Sequence, residues 1–320
     1  MKNKAGAKNM QINADVGVRN RIGLTVEIAS KCGQALSVSE IIRLLSVEQE
    51  PGEIQEIIDT DPYFSGFLRR ERELVAIKGY ENLFSERTFR QTVSKRYLRR
   101  AGAFADNLVR RSSNVELMAV SGSVAYGSAL ASDDIDIFLI TKSNRTWLCF
   151  LKALLLARVF NIKAHINGEK TNYCLSYVQD AQEFEQTLKQ QRTPLFAREF
   201  LSMQVLAGIN YYAKLLDWNS WMGQIFPKLA ALKVAERGVE KTATIENPLI
   251  SETKAALNLF VFAMLHKFLS FKAFVRNQQY RRQQKTKDVF EAKMTKGSCV
   301  YTSNKYHELE GMYASMLWEK

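Results

Sequence analysis

Residues Val115–Thr141 read VELMAVSGSVAYGSALASDDIDIFLIT, and this stretch decides the fold. Val115–Val120 has the composition of a buried strand, and it ends at Ser121-Gly122-Ser123, where glycine lets the backbone approach a ligand closely. We expect a short helix over Val124–Leu130, beginning at this turn. Asp134–Ile140 then has the alternation and composition of a second strand. The stretch therefore predicts a strand, a glycine turn, a short helix and another strand.

Two aspartates share one face of the second predicted strand. Because side chains alternate along a strand, Asp134 and Asp136 point to one side, while Ile135 and Ile137 point to the core. Two carboxylates at this spacing can bind a pair of hard cations such as Mg²⁺ or Mn²⁺, which bridge readily to substrate phosphates. Asp133 has the opposite alternation, so we expect it to lie in the preceding turn.

The glycine turn and the aspartate pair are more specific together than either motif is alone. A Gly-Ser turn alone is common, and an Asp-x-Asp at a strand end usually only solvates that end. Joined as strand, turn, helix and strand, they predict a site for a nucleoside triphosphate. Gly122 and Ser123 would hold the phosphates, with backbone N–H groups at the helix start as donors. Asp134 and Asp136 would hold the metal ions.

This combination resembles the DNA-polymerase-β-like nucleotidyltransferase superfamily, whose signature is Gly-Ser followed by Asp-x-Asp on a strand. Over residues 24–230 the chain also resembles prokaryotic proteins that join a winged-helix-like N-terminal region, a nucleotidyltransferase domain and a helical C-terminal region. The flanking stretches that carry this likeness are Ile140-Thr141-Lys142, Arg145-Thr146-Trp147, Leu195-Phe196-Ala197-Arg198-Glu199, Asn219-Ser220-Trp221 and Phe226-Pro227. The resemblance implies transfer of a nucleoside monophosphate from an NTP to a hydroxyl, and we expect Lys142 to help neutralise the triphosphate.

The chain departs from the superfamily pattern at the third acid. Active members usually carry it on a later strand, where it binds the catalytic metal. The matching strand here, Asn172–Val178, contains no acid. Glu169 precedes it and Asp180 follows it, so either could reach the site from a loop. The alternative is a site with two carboxylates that binds nucleotide and is catalytically degenerate.

The N-terminal region, residues 21–94, is predicted to be winged-helix-like. Ser37 and Glu40 form a capping-box pattern ahead of an apolar helix, and Pro51-Gly52 is expected to end that helix. After a second helix, Leu74–Ile77 has the composition of a strand. The alternative for this region is a plain helical cap packed on the next domain.

The net charge of +12 favours polyanionic partners, and among them RNA is the expected acceptor. Two basic clusters are candidate nucleic-acid contacts. The first lies on one face of a helix predicted over Ser94–Arg111, and the second ends a helix predicted over Glu252–Lys287, beside Tyr280. Their residues are Arg96, Arg99 and Arg100, then Arg276, Arg281 and Arg282. Solvated helix surfaces are the alternative interpretation of both clusters.

The most apolar helix is expected to be a core element. Its regularly spaced apolar side chains predict a buried stripe, formed by Phe260, Met264, Phe268, Phe271 and Val275. Because Lys267 and Lys272 interrupt the stretch, we expect no membrane span. The four cysteines form no cluster, and Met1–Asn20 lacks the features of a signal peptide. These patterns predict a cytoplasmic protein without membrane partners.

Together these patterns predict an α+β fold. A small mixed β-sheet nucleotidyltransferase core, residues 95–190, would lie between the winged-helix-like unit, 21–94, and an α-helical C-terminal unit, 191–320, with a flexible basic tail at 1–20. The expected function is metal-dependent transfer of an NMP from an NTP to RNA. The alternatives are transfer to a small molecule or a protein, and a catalytically degenerate protein that binds nucleotide or nucleic acid.

Overall fold

The computed structural model describes residues 17–46, 50–169, 172–234 and 248–317. The expected tail at 1–20 lies almost wholly outside these residues. The fold is mixed α+β, with one three-stranded and one six-stranded sheet. The α+β class predicted from the sequence is therefore confirmed.

The N-terminal region packs helices on the three-stranded sheet. Its elements are α1 (Val18–Lys31), β1 (Leu36–Ser37), α2 (Val38–Leu44), α3 (Pro51–Thr60), α4 (Pro62–Phe67), β2 (Leu68–Glu71) and β3 (Leu74–Ile77). The capping box is confirmed, because the Ser37 hydroxyl accepts from the Glu40 N–H and the Glu40 carboxylate accepts from the Ser37 N–H. Pro51 is the first residue of α3, a position that needs no N–H donor.

All strand pairs of the small sheet are antiparallel, in the order β1-β3-β2. The predicted strand at Leu74–Ile77 is β3, and the unpredicted β2 pairs with it through a turn in which Arg72 has a φ of 57°. The buried face of the sheet meets the helices in one apolar core, which includes Ile22, Val26, Ile41, Ile54 and Val75.

The helix predicted to begin at Ser94 begins twelve residues earlier. α5 spans Asn82–Arg111 and is 30 residues long. No glycine or proline interrupts the chain between Asn82 and Ala101, so the first half has no breaking signal. The predicted boundary between residues 94 and 95 therefore falls inside a continuous helix.

The six-stranded sheet has the order β7-β4-β5-β6-β9-β8, in which only the β5–β6 pair is parallel. Its first part consists of β4 (Val115–Val120), α6 (Gly122–Ala125), β5 (Ile135–Thr141), α7 (Thr146–Ile166), β6 (Tyr173–Asp180) and α8 (Ala181–Gln190). The strand, turn, helix and strand predicted around the glycine turn are all present. The helix is shorter than expected, and it begins at Gly122 rather than Val124.

The rest of the chain adds helices and three more strands. Its elements are α9 (Pro194–Ser202), β7 (Gln204–Ala207), α10 (Ile209–Trp218), α11 (Trp221–Ile225), α12 (Pro227–Val234), α13 (Pro248–Arg282), a 3₁₀ turn (Thr286–Asp288), β8 (Phe290–Met294), β9 (Ser298–Ser303) and α14 (Asn304–Leu317). The region expected to be helical therefore contributes strands to both sides of the sheet. α8 and α9 are separate helices, since Thr193 caps a new helix that begins at Pro194.

Helices cover both faces of the large sheet. Ile135, Ile137 and Leu139 of β5 pack on the side of α5, α7 and α13. Phe138 and Ile140 pack on the opposite side, against α8, α9, α10 and α14. Asp136 shares the alternation of Phe138 and therefore stands at the edge of this second core. Asp134, where the sequence predicted the strand to begin, directly precedes β5.

Candidate functional site

The glycine turn lies directly against Asp136. Gly122 has a φ of +66°, and a Cβ at this position would lie 2.9 Å from the Asp136 carboxylate oxygen Oδ2. The Ser121 N–H donates to the Asp136 backbone oxygen at 3.0 Å, which joins the end of β4 to the start of β5. Only glycine combines this backbone conformation with such a close approach. The structure therefore brings Gly122 and Asp136 together.

Asp133 orders the loop between the turn and the aspartate pair. Its Oδ2 accepts from the Ser123 hydroxyl at 2.9 Å and from the Leu130 N–H at 3.0 Å. Asp133 thus lies before β5 and fastens the loop, where the sequence predicted a turn residue. Ser123 contacts the same loop, because its hydroxyl donates to Asp133.

Burial and neighbouring acids disfavour the ionised form of Asp136. Burial and, after it, the negative charge of Asp134 raise the pKa of Asp136 to about 7, although a hydrogen bond with Cys174 opposes the shift. The negative charges of Glu199 and Asp133 add to it. A hard divalent cation beside both carboxylates would offset these charges, and carboxylate oxygen is the ligand type that Mg²⁺ and Mn²⁺ prefer. The donor set fits such a cation.

Cys174 occupies the position beside Asp136 on the neighbouring strand. The two residues are register partners in the parallel β5–β6 pair, and the register shifts immediately after them. Burial and the charges of Asp136 and Asp134 raise the pKa of the Cys174 thiol, which keeps it protonated. Register irregularities are frequent next to functional sites. The place nearest to Asp136 on β6 is therefore filled by a neutral thiol.

Glu199 is an acid near the site that the sequence reasoning did not single out. Its carboxylate accepts from the Tyr126 hydroxyl at 2.5 Å, and Tyr126 follows α6 directly. Arg198 is fully buried with its guanidinium 5.3 Å from the Tyr126 ring centroid. Burial raises the pKa of Glu199, although Tyr126 and Arg198 lower it in part. The sequence signal that could have identified Glu199 is its place in Leu195-Phe196-Ala197-Arg198-Glu199, one of the stretches that carry the family resemblance.

Three further residues were considered for the site. Asp180 pairs with Thr141 at the far end of the β5–β6 ladder and caps α8 by accepting from the Glu183 N–H at 2.9 Å. Glu169 forms an ion pair with Arg100. Lys142 follows the last residue of β5, roughly 25 Å along the strand from Asp134. The structure does not bring Asp180 and Lys142 to the aspartate pair, and it pairs the Glu169 carboxylate with Arg100.

Two of the basic residues of α5 lie near the edge of the sheet that carries the pair. The guanidinium carbons of Arg96 and Arg100 lie 5.5 and 5.9 Å from the centroid of the Tyr97 ring. The Tyr97 hydroxyl donates to the Ala131 oxygen at 2.8 Å, in the loop that leads to Asp134. Arg99 is exposed on the same helix. The middle of α5 therefore borders the loop that precedes β5.

The basic end of α13 also approaches the site. Arg276 donates from Nε to the Tyr280 hydroxyl at 2.8 Å. Burial lowers the pKa of Arg276, but the hydrogen bond to Tyr280 and electrostatic interactions with Tyr280, Cys174 and Asp134 outweigh it, and the pKa is raised. Arg281 and Arg282 are exposed in the last turn of the helix.

Within residues 17–46, 50–169, 172–234 and 248–317, no three His, Cys, Asp or Glu side chains are grouped as metal ligands. The candidate site consequently rests on the carboxylates of Asp134 and Asp136, with Gly122 at their side and Cys174 on the next strand. Comparison with protein-family models, curated proteins and solved structures finds no match to this chain.

Proposed function

We propose that this protein is a metal-dependent nucleotidyltransferase of the DNA-polymerase-β type, which transfers a nucleoside monophosphate from an NTP to a hydroxyl of RNA. The observation that carries the proposal is the contact between the glycine turn and the aspartate pair. Gly122, with positive φ, leaves only enough room for the Asp136 carboxylate, and Ser121 is hydrogen-bonded to the backbone of Asp136. A phosphate held at the turn would therefore lie next to the carboxylates.

The roles of the residues follow from this contact. Asp134 and Asp136 would hold Mg²⁺ or Mn²⁺, which when bound would activate the attacking hydroxyl and stabilise the leaving pyrophosphate. The turn at Gly122 and Ser123 would bind the triphosphate, and Asp133 holds Ser123 and the loop in place. The hydroxyl oxygen would form a bond to the α-phosphorus while the bond from that phosphorus to the α–β bridging oxygen breaks; pyrophosphate would leave with the bridging oxygen, and the hydroxyl proton would pass to water. Lys142 has no part in this proposal because it follows the opposite end of β5.

RNA is proposed as the acceptor because basic residues border the aspartate pair on two sides. Arg96 and Arg100 lie on α5 beside the loop that leads to Asp134, and the field of Asp134 reaches Arg276 on α13. A polyanionic strand that approaches the acidic pair would meet these cations first. The net charge of +12 supports the same partner.

The N-terminal region is proposed to be a winged-helix unit. Three observations support this assignment: β1 lies between α1 and α2, two helices precede the β2–β3 hairpin after α2, and the sheet order is β1-β3-β2. Within this proposal the unit positions the acceptor or a protein partner, because winged helices serve either use.

The test is transfer of label from each α-labelled NTP, with Mg²⁺ or Mn²⁺, to cellular RNA, protein and small metabolites in separate pools. We expect label in RNA that is lost in the Asp134→Ala/Asp136→Ala variant. The matched control is Asp106→Ala, which removes an exposed aspartate of α5. Label in protein or metabolites instead would assign the same chemistry to another acceptor.

A second measurement distinguishes a degenerate site from an inactive preparation. Binding of each NTP is followed by equilibrium dialysis with the same variants. NTP binding that needs Asp134 and Asp136, with no transfer to any pool, would overturn the proposed reaction and favour a nucleotide-binding protein. RNA binding that survives in the double variant would then identify a second surface for the polyanion.

A further inference from the structure

The outward face of α13 is apolar and exposed, contrary to the prediction that it forms core. Phe260, Phe268 and Phe271 are 60–67% exposed, and Met264 lies between them on the same face. By length and composition alone, Glu252–Arg282 could cross a membrane, and 17% of its most apolar window is buried. Isolated exposed apolar residues are ordinary, but a continuous stripe of this kind marks an interaction surface.

The adjacent helix extends this surface. Leu155 and Ile162 of α7 are 62% and 51% exposed, and by helical spacing they share a face. α7 and α13 contact each other through Trp147 and Phe262 and pack on the same core. Their outward faces therefore lie on one side of the molecule. We call this surface, with Phe260, Met264, Phe268, Phe271, Leu155 and Ile162 as its centre, the α7–α13 face.

The inner face of α13 is fixed to the protein. The Asn258 side chain accepts from the Trp147 and Leu148 N–H groups at 2.8 and 3.1 Å. Near the C-terminal end of the helix, Asn277 donates to the Phe290 oxygen at 2.6 Å and accepts from the Phe290 N–H at 3.1 Å. These bonds hold the helix along the protein surface, with one face inward and the apolar face outward. This geometry suits a helix that lies on a membrane and not one that crosses it.

The charges that border the α7–α13 face are almost all positive. α7 contains Lys152, Arg158 and Lys163 and no acid, and all three side chains are exposed. In α13, Lys267 and Lys272 are exposed, and Glu252 is the only acid in its sequence. Lysine and arginine stems can lie along apolar surface while their charged ends reach outward to anionic groups. The face therefore combines apolar side chains that can insert with cations that can bind phosphate headgroups.

We propose that the α7–α13 face binds the surface of an anionic phospholipid bilayer. Charge complementarity selects this occupant, because phospholipid headgroups supply negative charge above an apolar layer. A second copy of this chain, docked by the same face, would oppose one basic surface with another. The proposal does not depend on nucleotidyl transfer. It also departs from the expectation of no membrane partner, which rested on the lysines that interrupt the apolar stretch.

The test is flotation of the full-length protein with phosphatidylcholine vesicles, prepared with or without phosphatidylserine. We expect binding that requires phosphatidylserine and falls at least about tenfold in Phe268→Ser/Phe271→Ser, since each phenylalanine inserts apolar area. The matched control is Phe89→Ser, which removes a phenylalanine that is 56% exposed on α5. Lys267→Glu is expected to weaken binding, and Lys95→Glu on α5 is its control.

The outcomes separate this proposal from others. No vesicle binding by the wild type, or equal loss in Phe89→Ser, would overturn it. A dimer that becomes monomeric in Phe268→Ser/Phe271→Ser, without vesicle binding, would assign the face to a second copy and also overturn it. Thermal unfolding of each variant verifies that it is folded. The Asp134→Ala/Asp136→Ala variant should bind vesicles like the wild type, so failure of the proposed catalysis leaves this result unaffected.

Discussion

Gly122 and Gly127 provide a matched pair for testing the candidate site at the residue scale. Both have positive φ, +66° and +75°, so alanine at either position costs roughly 1–2 kcal/mol in backbone strain. Only at Gly122 would the new Cβ meet the Asp136 carboxylate, at 2.9 Å. At Gly127 the nearest atom is Gln91 Cγ at 3.9 Å. Gly122→Ala should therefore displace the Asp136 side chain, and Gly127→Ala should not.

We expect Gly122→Ala to lower nucleotidyl transfer about a hundredfold, the usual effect of misplacing a catalytic group by an ångström. Gly127→Ala should reduce the free energy of unfolding about as much as Gly122→Ala does, but it should keep most of the nucleotidyl transfer activity. Initial rates with labelled NTP and urea unfolding of both variants measure the two effects. Equal loss of activity in both variants would show that strain, and not contact with Asp136, is responsible.

Cys174 is the position where the candidate site can be given a third carboxylate. It is the register partner of Asp136, and Asp136 forms a hydrogen bond with its thiol. Cys174→Asp should raise the affinity for Mn²⁺ at least about tenfold, because a third negative charge adds attraction for the cation. Without metal, the same variant should be less stable, because the new charge lies beside two like charges. Titration calorimetry with Mn²⁺ measures the affinity.

Cys174→Asn is the control for Cys174→Asp, since it has the same shape and no charge. It should not gain affinity for Mn²⁺. If Cys174→Asp binds Mn²⁺ no better than the asparagine variant, the carboxylate pair does not hold the cation in the proposed way. The absence of an acid from Asn172–Val178 was visible in the sequence, but the position facing Asp136 was not. That position depends on strand register, which a single sequence does not specify.

At the scale of elements, α2 is tied to α5 by one carboxylate. Glu40 closes the capping box at Ser37 and also accepts from Arg87 Nη2 at 2.7 and 2.9 Å. Burial raises the pKa of Glu40, but the hydrogen bonds from Arg87 and Ser37 outweigh it, and the pKa lies below its usual 4.5. Ionised Glu40 therefore stabilises the fold above pH 4.5, and this contribution is lost as the pH falls through the lowered pKa.

We expect Glu40→Gln to lower the free energy of unfolding at neutral pH by about 1 kcal/mol, because glutamine keeps the capping-box acceptor but loses the charge that pairs with Arg87. The difference from the wild type should shrink as the pH falls below 4.5, because the wild-type carboxylate is then protonated. Urea unfolding across this range measures both. Glu53→Gln, exposed in the first turn of α3, is the control. A difference that does not change with pH would exclude the ionised pair as its source.

Some elements could be predicted from sequence patterns, and others could not. The β4–turn–β5 segment and the capping box could be predicted because they depend on neighbouring residues. The spacing of Phe260 and Phe268 identified a shared face of α13, but not what that face meets. Short strands such as β2 and β7, with four residues each, carry too little periodicity to be recognised. Their identity depends on pairing with distant strands, as β7 pairs with β4.

At the scale of the whole molecule, the fold separates the basic residues into different surroundings. Arg96 and Arg100 lie in the middle of α5, near the loop that leads to Asp134, and Arg99 is exposed beside them on the same helix. Arg110 and Arg111 end the same helix, roughly 20 Å away. The overall charge predicted a polyanionic partner, but only the fold distinguishes these two groups by their distance from the aspartate pair.

This separation gives a prediction for RNA binding. If the acceptor strand crosses the middle of α5 to reach Asp134, Arg96→Ala/Arg99→Ala should reduce the slope of log affinity against log salt by about 1 for each phosphate that is no longer neutralised. Arg110→Ala/Arg111→Ala removes the same charge from the same helix and should leave the slope nearly unchanged. Binding of a labelled single-stranded RNA at several salt concentrations measures both variants. Equal reductions would mean that RNA responds to net charge alone, and the path across α5 would be wrong. A smaller slope in Arg96→Ala/Arg99→Ala alone would support a path for the RNA acceptor across the middle of α5. Such a path would bring the hydroxyl of the RNA to the aspartate pair.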